Sequence, residues 1–81
     1  MDFPLYTDVV LLHDIPDENL RAGDIGAVVD RHQIPGLETG YSVEFFDMLG
    51  NTVAIVTLSA TMLRKPTQAD RPTVRSEAVS V

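Results

Sequence analysis

The sequence predicts an all-β fold: a small, five-stranded SH3-like barrel with a flexible C-terminal tail. Three observations predict it. Turn-forming Gly, Pro, Asn and Asp recur at short intervals along the chain. The runs between them are rich in Val, Ile, Thr, Tyr and Phe, residues that fit a pleated, half-buried surface. The chain has 81 residues, 44% of them hydrophobic and 22% charged, which suits one small globular core and leaves no room for a second.

The elements follow in order. Asp8-Val-Val-Leu-Leu-His13 is the first strand. The polar stretch from Asp14 to Gly23, punctuated by Pro16, is a long, partly ordered loop, since 17–21 is short for a helix. Ile25 to His32 is the second strand, and Gly23 and Gly26 at its start suit a tight turn and then a bulge or close backbone approach. Pro35-Gly36 marks the second loop. Tyr41 to Phe46 alternates, with Tyr41, Val43 and Phe45 on one face and Ser42 and Glu44 on the other. Asp47-Met-Leu-Gly50 is a hairpin loop leading into Thr52 to Leu58. A single turn at 59–61 precedes a short closing strand, Met62-Leu63-Arg64. The predicted core is Val10, Leu12, Val28, Tyr41, Val43, Phe45, Ala54, Val56 and Leu58. Strands one and four are apolar on both faces, so periodicity does not fix their register. The surplus around Val53, Ile55 and Phe46 points to a partner or a self-interface.

Charge divides the chain. Residues 1–63 hold ten acids and two bases, a net −8, whereas 64–81 hold four bases and two acids, a net +2. The barrel is therefore assigned to 1–65. Residues 66–81, with Pro66, Pro72 and several Ser and Thr, read as a tail with too little apolar surface to offset its ordering entropy. Met1-Asp2-Phe3-Pro4 carries no positive n-region and the apolar run from Val9 is short, so neither a signal peptide nor a membrane span is expected and the cytoplasm is the expected compartment.

Asp8-Val-Val-Leu-Leu12, Gly23-Asp-Ile-Gly-Ala-Val-Val29, Tyr41-Ser-Val-Glu-Phe45, Gly50 and Val53-Ala-Ile-Val-Thr-Leu58 with Leu63-Arg64 resemble the bacterial domain of unknown function 4926 over about residues 7–64. The resemblance implies a small stand-alone bacterial protein with an SH3-like barrel, and it brings no activity and no catalytic residues. The glycine-rich strand entry is also similar to KOW motifs and to the SH3-like domain of nitrile hydratase β subunits. That segment suits many small barrels through its turn geometry alone.

The inventory of reactive groups is thin. Without cysteine there is no disulfide, no thiolate zinc ligand and no thiol nucleophile. Four serines are present, none in a G-x-S-x-G elbow. His13 and His32 sit at strand ends, where a polar residue leaves the sheet in any case. His13, Asp14, Asp17 and Glu18 share one loop but match neither H-E-x-x-H nor EF-hand spacing, so a solvated acidic loop is expected and no metal. Gly23-x-x-Gly26 lacks the Lys and Ser/Thr of a phosphate loop, and it enters a strand. Nucleic acid calls for basic residues among exposed aromatics, and proline-rich peptides call for an aromatic groove. A body with two Arg, ten acids and no Trp offers neither.

The expected function is a non-catalytic interaction module that binds a protein partner or itself. Val53, Ile55 and Phe46 form its exposed strand face, and Asp14, Asp17 and Glu18 its acidic rim. No cofactor is expected. Alternatives are an antitoxin or immunity-type inhibitor of a basic enzyme, which the acidity would steer, and an accessory domain of a metalloenzyme like the nitrile hydratase barrel.

Overall fold

A computed structural model describes residues 2–72. Five strands form one antiparallel sheet: β1 (Asp8–Leu11), β2 (Ile25–His32), β3 (Gly40–Phe46), β4 (Thr52–Ser59) and β5 (Leu63–Arg64). Their order across the sheet is β4-β3-β2-β1-β5. One 3-10 turn, Pro16–Glu18, lies in the β1–β2 connection, and another, Ala60–Met62, joins β4 to β5.

The expected SH3-like barrel is not formed. The sheet is open and uncurled, and β4 and β5 are its two edges among the described residues. Closure needs a seam between those strands. β5 has only two residues, both already paired to β1 at Val10↔Arg64 and Leu11↔Leu63. Ala60–Met62 coils where an extended segment would have lengthened that seam. All-β composition and five strands thus hold, while the barrel inferred from them and from the family resemblance does not.

One row shows how the core is built. Val9, Gly26, Phe45 and Ala54 lie opposite one another across four strands, and all four are buried. Gly26 makes the row possible: a Cβ there would stand 2.6 Å from Val43 Cγ1 and 2.9 Å from the Glu44 carbonyl oxygen. Tyr41, Val43 and Val28 extend the buried face, Leu20 closes it from the β1–β2 connection, and Leu63 closes it from β5. Phe3 stands edge-on to Tyr41, with ring centroids 5.3 Å apart at 83°. The Tyr41 hydroxyl accepts the Phe3 N–H at 3.3 Å, so the phenol is both buried and hydrogen-bonded.

The structure settles the register of β1, which periodicity leaves open: Val10 of the predicted core is buried and Leu12 is not. Val9 and Leu11 enter the core, Leu12 is exposed, and the strand ends at Leu11 because the chain turns there. Leu12 N–H donates to the Met62 carbonyl, outside the strand ladder. Val56 and Leu58 of the predicted core are only partly buried, since they lie on the edge strand.

Candidate functional site

The β3–β4 hairpin presents apolar surface from a held turn. Asp47 fixes the turn through its carboxylate, which accepts the N–H groups of Leu49 and Asn51, both at 2.9 Å, and the Asn51 side-chain amide at 3.3 Å. Gly50 takes the positive φ of 85° that the tight return requires. Hydrogen bonds from the Asn51 backbone first, then from the Asn51 side chain and the Leu49 and Gly50 backbone, hold the Asp47 carboxyl below its ordinary value. The turn lifts Met48 and Leu49 into solvent, 84% and 87% exposed. Beside it stand Phe46 at 45%, Val53 at 55% and Ile55 at 59%.

Phe46, Val53 and Ile55 of the expected site are therefore together on one exposed hairpin. Val53 is the extra residue of a bulge, because Phe45 pairs with Ala54 and Phe46 with Thr52. Met48 and Leu49 extend the patch, and sequence reasoning passed them over. Apolar residues at a four-residue turn look like turn filler, and the available signal was that two large ones stand where polar residues usually do.

β1 and β3 both run antiparallel to β2, so the β1–β2 connection leaves the sheet from the same end as the hairpin. That connection carries Asp14, Asp17 and Glu18. Asp17 and Glu18 are exposed on the 3-10 turn, whose Pro16 carbonyl accepts the N–H of Asn19, itself at φ 56°. Asp14 has a structural task, accepting the Ala22 N–H at 2.8 Å. Among the described residues, no group of three or more His, Cys, Asp or Glu could hold a metal ion. His13 is exposed.

Register brings together one polar group that the sequence left scattered. Asp30 pairs with Ser42, and His32 with Gly40, across β2 and β3. His32 Nε2 then lies 2.8 Å from Ser42 Oγ and 3.8 Å from Asp30 Oδ2, and Ser42 Oγ lies 3.2 Å from Thr57 Oγ1. A nucleophile–base–acid relay uses opposite ring nitrogens for its two partners. Here both partners face the same nitrogen on an open surface, so the geometry is that of a surface hydrogen-bond cluster.

A concavity lies over the other side of β1. Val10, Ile25, Arg64 and the Ala69–Arg71 stretch border a cleft of about 270 Å³. Its charged groups are already engaged. Arg64 grips Asp70 through two hydrogen bonds of 2.8 and 2.7 Å, and Arg71 donates to the carbonyls of Gln68 and Asp70. The Arg64 guanidinium and the Thr67 amide pull the Asp70 carboxyl far below the usual carboxylate range. Of the segment read as tail, residues 66–72 are described, and 73–81, Arg75 included, lie outside the described residues. No helix among the described residues is long and apolar enough to cross a membrane.

Residues 5–65 match the family described as Domain of unknown function (DUF4926), and the chain belongs to that family. Comparison with curated proteins and with solved structures finds no match.

Proposed function

We propose that this member of the DUF4926 family is a non-catalytic binding module that engages a protein through the β3–β4 hairpin. The observation that carries the reading is the exposure of Met48 and Leu49 on a turn that Asp47 holds in place. Large apolar side chains on a prearranged support lose little conformational freedom when covered, so more of their burial remains as affinity. They share one hairpin with exposed Phe46, Val53 and Ile55, and exposed apolar groups gathered in this way mark interaction sites. The thin inventory of reactive groups is consistent with this role.

The test is a photoreactive side chain placed at position 48 in the full-length protein and, as control, at exposed Leu37 in the β2–β3 loop. One discrete adduct from position 48, absent from position 37 and lost in Ile55→Lys, is the expected result. Equal adducts from both positions, or none from either, overturns the reading.

A second reading is favoured by the acids at the same end of the sheet. Asp17 and Glu18 stand exposed there, and a basic partner such as a nuclease or toxin would gain from them. Its signature is an affinity that falls as salt rises. The accessory-domain alternative rested on a barrel and goes with it.

A further inference from the structure

The occupant of the hairpin surface follows from the edge of β4, on the premise that this surface is the docking site. We propose that it is a second copy of this chain, added strand to strand in antiparallel register about a two-fold axis at Val56.

The edge is unusually open to pairing. β4 spans eight residues, Thr52–Ser59, and contains no charged residue and no proline. Solitary proteins usually blunt such edges with Lys, Pro, inward charges or covering segments. The one irregularity is the bulge at Val53, close to the start of the strand, so Ala54 to Ser59 is left regular.

The face of β4 that joins the core is also unfinished. Val56 and Leu58 pack against the core but remain only partly buried, because among the described residues the sheet stops at their strand. A two-fold axis at Val56 sets Val56 against its own copy and Ala54 against Leu58 of the second copy, extending the apolar layer across the seam. On the outer face the same register sets Ile55 against Thr57. Opposed residues of an antiparallel pair share one face, so each contact joins like surroundings. The arrangement also carries the hairpin tip, with Met48 and Leu49, past the Ala60–Met62 turn of the second copy. The two sheets become one of ten strands.

Charge permits the pairing. The chain carries −6, yet β4 has no ionisable residue, and the carboxylate beside it, Glu44, accepts a hydrogen bond from the Thr52 hydroxyl. Two such bodies repel at long range while their seam stays neutral. Salt therefore strengthens this association, the opposite of its effect on a basic partner.

The register supplies the experiment. Ile55 and Thr57 are exposed, so charging them leaves the core untouched. Light scattering and sedimentation of the full chain should show a dimer that tightens with salt. Ile55→Lys and Thr57→Glu should each weaken it at least about tenfold, and the double variant should recover most of the loss, because the register puts the new Lys opposite the new Glu. Unchanged circular dichroism in each variant shows that the sheet persists. A double variant as weak as the singles overturns the register, and a dimer indifferent to both singles overturns β4 pairing. A wild-type chain that stays monomeric at millimolar concentration overturns self-association. The docking surface is judged separately by the adduct from position 48, so the two failures are distinguishable.

Discussion

Gly26→Ala tests the tightest contact in the sheet. Gly26 has no positive φ, so alanine meets no backbone strain and its effect is steric. The added Cβ meets Val43 Cγ1 at 2.6 Å, the Glu44 carbonyl oxygen at 2.9 Å and Phe45 Cδ1 at 3.0 Å. Val43 and Phe45 are fully buried and have nowhere to turn, and the carbonyl belongs to the paired strand β3. Overpacking of this kind costs about 1–3 kcal/mol. Removing glycine's freedom in the unfolded chain returns about 0.4–1 kcal/mol. The net is a loss of about 1–2 kcal/mol, which for a domain of this size lowers Tm by roughly 10 °C. Urea titration and a thermal melt measure it. Adding Val43→Ala removes the nearest clashing atom, so the double variant should be more stable than the summed single losses predict, by about 1 kcal/mol. Stability within about 0.5 kcal/mol of wild type for Gly26→Ala, or strict additivity in the double variant, refutes the close β2–β3 packing on which the reasoning stands.

Three further outcomes are expected. Tyr41→Phe leaves the Phe3 N–H without its buried acceptor and should cost about 1–2 kcal/mol, while Phe3→Ala should cost about 3 kcal/mol or more, both read by urea unfolding. Asp47→Ala should speed hydrogen exchange at Leu49 and Asn51 while β2 amides keep their protection. The Asp47 folded-state pKa lies below 3.8, so in the native protein these amides should stay protected above that pH and lose protection as pH falls through the lowered value. Arg64→Gln or Asp70→Asn should release residues 65–72 from β1, read as faster exchange at Thr67 and proteolysis in that segment. Because the Asp70 pKa is lowered far beneath its ordinary 3.8, the wild-type clasp should hold at and above that pH and open only in strong acid.

Much of the fold was legible because alternation and turns are local. Tyr41, Val43 and Phe45 declare their face by spacing alone, and Gly50 with Asp47 declares the hairpin. β1 was not legible in the same way. Val9, Val10, Leu11 and Leu12 are all apolar, so the sequence contains no contrast from which to choose a face. Tertiary contacts decide: Val9 and Leu11 join the core, and Val10 is buried beside Arg64 and the Ala69–Arg71 stretch. The closeness of His32, Asp30 and Ser42 is likewise a product of the β2–β3 register, which shifts at Val29.

The barrel and the candidate site turn on the same residues. Five strands with suitable spacing are compatible with a closed or an open sheet, because closure depends on whether the last strand is long enough to make a seam. Here β5 ends after Leu63 and Arg64, and Arg64 turns its guanidinium to Asp70. A longer β5 would have covered β4 and left Val53 and Ile55 as ordinary surface residues beside a closed seam. A short one leaves eight residues of backbone edge, a core margin at Val56 and Leu58, and an apolar hairpin at the same border. The apolar surplus of β4, which the sequence places at Val53 and Ile55 on an exposed face, is therefore the counterpart of a sheet that, among the described residues, stops one seam short of closing. That is the physical reason to look for the partner of this chain along β4.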